Sequence, residues 1–166
     1  MTVKDLQELY DYGSWANERL FEALSQVTSE EFTQQVDGTG TSVRNLFVHA
    51  VSAEWGWLSR CGGAARSARL ESNDYPTVES VIEISRKVKT WVREFLSKLK
   101  DEDLDRQIEF KIESDESRSL SLGSIMQHGA NHSVHHRGQI SLLLRMLGKP
   151  PGDTDILIYF ALKNSS

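Results

Sequence analysis

Residues 128–139 read HGANHSVHHRGQ and hold four of the five histidines in a chain of 166 residues. The fifth, His49, stands far upstream. Imidazole is the commonest side-chain metal ligand and the group that titrates nearest neutrality. The cluster therefore reads as a metal site, a pH-responsive element or simply a histidine-rich helix. An α-helix advances about 100° per residue, so with His132 at zero His136 falls at about +40°, His128 at about −40° and His135 at about −60°. The apolar residues of the same stretch divide the four. Ile125 and Leu143 fall at about +20°, Leu147 at about +60°, Leu122 and Ile140 at about +80°, and Met126 and Leu144 at about +120°. The stripe points inward at about +60°. His132 and His136 lie in or beside it, while His128 and His135 lean away toward solvent or a pocket edge.

Two imidazoles at i and i+4 stand one turn apart on one face, the spacing that lets the H-E-x-x-H helix hold one ion with two ligands. Zinc and similar ions take at least three protein ligands. His49 is the candidate third, because it sits at the flank of a stripe formed by Leu46, Ala53 and Trp57. If the two helices adjoin, three imidazoles converge in a pocket within the bundle and leave coordination positions open, as catalytic sites do. The alternative is that each histidine is a hydrogen-bonded core or surface residue. A pH switch needs a bistable element, and none is identifiable. Glu54, at about +140° from His49 on the same wheel, suits a helix–helix hydrogen bond better than a fourth ligand. Arg137 and Gln139 are placed to link helices or orient a ligand, and Gly138 to permit close helix approach. No second carboxylate stands out as a general base, so hydrolysis would rely on metal-bound hydroxide.

The elements that must position these residues are helices. Val3, Leu6, Tyr10, Gly13, Asn17, Leu20, Phe21 and Leu24 recur at helical spacing over Val3–Leu24. A second helix starts at Thr41 or Ser42 as cap and runs to about Arg60, where CGG stops it. A third follows its cap Thr77, and the fourth spans about Leu122 to Leu147 before GKPPG. Between the third and fourth, Ile108, Phe110 and Ile112 alternate with Glu109 and Lys111 ahead of SDES, which predicts a short β-hairpin. DTDILIYFALK predicts a short C-terminal helix capped by Asp153 or Thr154. The fold class expected is all-α, a four-helix bundle with a long crossover across about Cys61–Pro76.

Composition bounds what such a bundle does. The length suits one domain over residues 1–166 with one sizeable core. A net charge of −5 and pI near 5.5 argue against a general nucleic-acid binder. No secretory signal precedes the first helix and no apolar run is long enough to span a bilayer, which fits a cytoplasmic protein. Cys61 is the only cysteine, so no intrachain disulfide forms, and nothing beside it in sequence would activate its thiol.

The motifs NHSVHHRGQI (131–140), YDYGSWANERLFEAL (10–24), LFVHAVSAEWGWLSR (46–60) and LGKPPGDTDILIYF (147–160) together resemble the DinB-like family of damage-inducible proteins, along nearly the whole chain. The resemblance implies a four-helix bundle with one long crossover. It implies a divalent metal, commonly zinc or nickel, held by His49, His132 and His136, the trio the helical wheel also selects. It implies homodimers as well. Relatives of this fold include bacillithiol- or mycothiol-dependent S-transferases and a thiol-dependent maleylpyruvate isomerase, in which the metal activates a low-molecular-weight thiol. The function implied is metal-dependent thiol transfer to a small electrophile. Metal-dependent hydrolysis and a non-catalytic, stress-induced metal-binding role are the alternatives. Some of those relatives use a carboxylate ligand where this chain has histidine at all three positions. Trp15 and Asn17 match the family's WxN element, for which packing is the competing role.

Overall fold

The computed structural model describes residues 1–63, 69–111 and 116–165. Four long helices form the bundle: α1 (Val3–Leu24), α3 (Val43–Cys61), α4 (Val78–Leu96) and α5 (Leu122–Met146), with a short α2 (Ser29–Thr33) between the first two and α6 (Ile156–Lys163) at the C-terminus. Each start has a chemical cause. The Thr2, Ser42, Thr77 and Ser121 hydroxyls accept from the backbone N–H three residues on, which satisfies a donor the helix itself leaves open. The last helix is capped by Asp155, not by Asp153 or Thr154: the Asp155 carboxylate accepts from Leu157 N–H at 2.8 Å. Asp153 instead accepts from Asp155 N–H and shapes the turn before it. α2 is not among the elements that periodicity predicts, but its signal is local: Thr28 and Glu31 form a capping box there and Phe32 is fully buried.

Helix direction follows from which ends share a core. One apolar cluster gathers Leu20, Phe21 and Leu24 from the end of α1, Val43, Phe47 and Val48 from the start of α3, Val81 from the start of α4, and Ile140, Leu143 and Leu144 from the end of α5. The other gathers Leu6 and Tyr10, Leu58, Val92 and Leu96, and Leu122, Ile125 and Met126 from the opposite ends. The topology is therefore up-down-down-up. α3 and α4 run parallel, which forces the chain between them to travel the length of the bundle. That crossover is pinned to α3 where Ser52 Oγ accepts from Leu70 N–H at 2.9 Å. Each of Leu20, Leu24 and Leu144 is fully buried, and truncation to Ala costs about 2–5 kcal/mol.

A polar layer lies where the two clusters meet. Asn17 of α1, Glu54 of α3, Ser85 of α4 and both Ser133 and Arg137 of α5 line a cavity of about 30 Å³. Ser85 stands between Val81 and Val88 on the buried face of α4, and Ser133 and Arg137 stand between Met126 and Ile140 on α5.

The hairpin pairs β1 (Gln107–Lys111) with β2 (Ser117–Ser121) antiparallel, with Ile108 opposite Leu120 and Phe110 opposite Arg118. Ile112, Ser114 and Asp115, part of the predicted alternation and turn, lie outside the described residues. Arg106 donates to the Cys61 carbonyl at 2.9 Å and ties the hairpin to the end of α3. Burial pushes the Cys61 thiol up to about 11, which makes it a packing residue rather than a nucleophile. Among the described residues no helix is long and apolar enough to cross a membrane.

Candidate metal centre

α3 and α5 pack against each other along their length, and this brings His49 alongside His132 and His136. One ligand atom from each lies within 4.8 Å of the others, the one histidine grouping with metal-ligand spacing among the described residues. His136 Nε2 stands 3.3 Å from His132 Nε2. Two nitrogens at tetrahedral angles on bonds of 2.0–2.1 Å are separated by about 3.3 Å, so this pair is already spaced as ligands of one ion. His49 closes the group, its ring centroid 4.8 Å from that of His136 and 6.4 Å from that of His132.

The protonation states suit the same task. Gln139 Oε1 lies 2.7 Å from His136 Nδ1 and can only accept, so Nδ1 carries the proton and Nε2 presents its lone pair to the centre. Burial, then the neighbouring imidazoles His136, His128, His49 and His135, push His132 down to about 4. Burial shifts His136 in the same direction. Both rings are neutral donors at neutral pH, the form a metal requires.

The centre is not enclosed within the bundle as the sequence suggested. His136 is buried, His132 half-buried and His49 exposed, so the three open onto the outer seam between α3 and α5. The wheel angles had placed His49 at a stripe's flank, and the flank here faces solvent. His128 and His135 stay outside the grouping. His128 is exposed and packs edge-on against Trp57 at 5.2 Å, with Phe110 and the Arg60 guanidinium also on that indole. His135 is exposed, 5.2 Å from the His136 ring.

The inner side of the same two helices carries the polar layer. Ser133 and Glu54 line the same cavity from α5 and α3, and Ser133 favours the ionised Glu54 carboxylate, where the sequence suggested a helix–helix hydrogen bond. Burial raises Glu54 to about 7, against the opposing pull of Arg137. Arg137 does link helices: its guanidinium lies 5.2 Å from the Tyr12 ring centroid of α1. Trp15 packs with Tyr12 and Tyr159 at ring distances of 6.3 and 5.7 Å, the packing role. Gly138 does not mediate helix approach, since it is exposed and nothing lies within 4 Å of where its Cβ would be. Gly129 does: a Cβ there would sit 2.8 Å from the Tyr10 hydroxyl, which donates to the Met126 carbonyl at 3.0 Å.

The model of the DinB family matches residues 1–164. The chain belongs to the DinB family. Protein DinB of Bacillus subtilis (strain 168) is 23% identical over 159 residues, covering 92% of this chain and 91% of that one. The crystal structure of a DinB-like protein from Bacillus cereus ATCC 10987 superposes with a TM-score of 0.71 at 24% identity, over 92% of this chain and 97% of that one. The colibactin self-resistance protein ClbS, solved in complex with a dsDNA, superposes with a TM-score of 0.59 at 13% identity, over 87% of this chain and 96% of its own. At these identities the structural matches speak for the fold. The DNA in the ClbS complex sits uneasily with the expectation, drawn here from net charge, of no nucleic-acid partner.

Proposed function

We propose that this DinB-family protein holds zinc or nickel between His49, His132 and His136 and uses it in thiol S-transfer to a small electrophile. The observation that carries the metal is the 3.3 Å approach of the two Nε2 atoms, with His49 closing a group within 4.8 Å. Three histidine ligands would leave coordination open, and the exposure of His49 makes the group accessible from solvent. A dication held there would lower the pKa of a thiol or of water. The chain's own residues do the rest. Gln139 holds the His136 proton on Nδ1, and burial keeps His132 from competing for a proton. The Trp57, His128 and Phe110 rings flank the seam and offer apolar contact to the electrophile. The thiol itself rests on the resemblance to thiol-dependent S-transferases.

The deciding experiment measures thiol consumption with an electrophile such as 1-chloro-2,4-dinitrobenzene and several low-molecular-weight thiols, on untagged protein of known metal content. Metal-dependent loss of thiol is the expected result. Metal-dependent turnover without thiol assigns hydrolysis, and inactivity despite bound metal assigns a non-catalytic, metal-binding role. Fluorescence anisotropy with a labelled DNA duplex belongs in the same series: the net charge of −5 predicts no binding at physiological salt, and saturable binding overturns that part of the reading. The cytoplasmic setting and a homodimer complete the proposal. Supporting the dimer, Leu157 on α6 is 72% exposed and Leu142 on α5 57%. Light scattering at micromolar concentration should return twice the chain mass.

A further inference from the structure

Asn17, Glu54, Ser85, Ser133 and Arg137 come from all four long helices and occupy interior positions where an apolar residue would pack. Ser85 is 8% exposed and Arg137 only 5%. Such positions break the rule of an apolar core, and departures of this kind mark specificity or function. Apolar contacts above and below them do not choose one rotation of a helix sharply, because one leucine–valine contact serves nearly as well as another. Directional polar contacts do.

We propose that Glu54, Ser133 and Arg137 are positioning residues that fix the rotation of α5 about its axis and so aim His132 and His136 at His49. The inference rests on the metal reading above. Ser133 and Arg137 directly follow His132 and His136, each turned by about 100°, so the helix cannot rotate one pair without the other. The surroundings of the inner pair constrain it. The Tyr12 ring of α1 takes the Arg137 guanidinium at 5.2 Å. Gly13 lies beside it: a Cβ there would sit 3.4 Å from Nη1, at ordinary contact distance. Glu54 lines the same cavity as Ser133 and Arg137, and its carboxylate is within electrostatic reach of that guanidinium. Because Glu54 and His49 share α3, the two helices are tied twice, once through the polar layer and once through the histidines. Opposite charges facing each other across a cavity add little net stability, since desolvation offsets their attraction, but they favour the helix rotation that keeps them facing. Their use here is registration.

The test separates registration from stability. The double variant E54L/R137M replaces the pair with apolar groups and should match or exceed the thermal stability of the unmodified chain. Its affinity for Co²⁺, used as the spectroscopic probe, should fall tenfold or more, with altered visible absorption bands as the ligand geometry loosens. A merely structural layer would leave both Co²⁺ readouts unchanged: affinity within twofold and identical bands overturn the inference. Should the double variant fail to fold, R137K is read the same way. It keeps the charge but not the planar fork; a threefold or larger loss is expected, and an unchanged spectrum and affinity overturn the idea. No Co²⁺ uptake by the unmodified chain overturns the metal reading and this inference together, whereas uptake with identical spectra overturns this inference alone.

Discussion

The outer seam and the inner layer are built on the same two helices yet make opposite use of polar side chains. On the seam, three imidazoles bring one ligand atom each within 4.8 Å of one another, one of the rings exposed. In the layer, one residue further along α5, an arginine that cannot shed its charge faces a carboxylate that burial holds near pH 7. The seam brings together three histidine ligand atoms that could hold an ion. The layer draws its polar groups from four helices around a cavity of about 30 Å³, room for one or two waters. The difference teaches that burial alone does not mark a binding centre here. The less buried cluster is the one with open valence.

The largest expected effect lies in the layer. R137M leaves the Glu54 carboxylate without its cation and should cost about 3 kcal/mol at pH 8 in urea unfolding. At pH 5 the loss should be smaller, because Glu54 can take up a proton. An equal loss at both pH values would break the assignment of Glu54 as the titrating partner. On the seam the order of effects reverses. H49A should weaken zinc binding at least a hundredfold by competition with a chelator, while apo stability moves by less than about 0.5 kcal/mol, as for an exposed site. Metal occupancy that survives H49A would remove the third ligand from the proposal.

The third effect is a pH slope. Glu54 binds its proton more tightly folded, at about 7 against an ordinary value of 4.5, so its stabilising contribution is full below 4.5 and is lost as pH rises through 7. E54Q should abolish that loss, about 3 kcal/mol, and flatten the stability profile between pH 4.5 and 7. Zinc affinity should change little by comparison with H49A. A wild-type profile parallel to that of E54Q would show that Glu54 does not titrate in this window.

The smallest effects come from two glycines of α5 that face the two sides. G129A drives a methyl into the Tyr10 hydroxyl and should cost about 1–3 kcal/mol in thermal or chemical unfolding. G138A meets nothing within 4 Å and should stabilise by about 0.5–1 kcal/mol. If both destabilise equally, the contrast between a packed inner face and an open outer face is wrong.

Much was legible in the sequence because helix periodicity and capping are local. The spans of the long helices, the caps Ser42 and Thr77, the hairpin, and the selection of His132 and His136 over His128 and His135 all follow from spacing along one segment. So does the candidacy of His49. The wheel reports an angle, however, and not what stands across from it. That α3 and α5 adjoin, that their histidines meet on an outer seam, that Gly129 rather than Gly138 is the close approach, and that Ser85 and Arg137 share a cavity with Glu54 depend on helices distant in the chain. Periodicity determined which residues share a face, because the peptide backbone sets 3.6 residues per turn. Only the up-down-down-up packing decided which faces meet, because that choice is made by long-range burial and by a polar layer that no single helix contains.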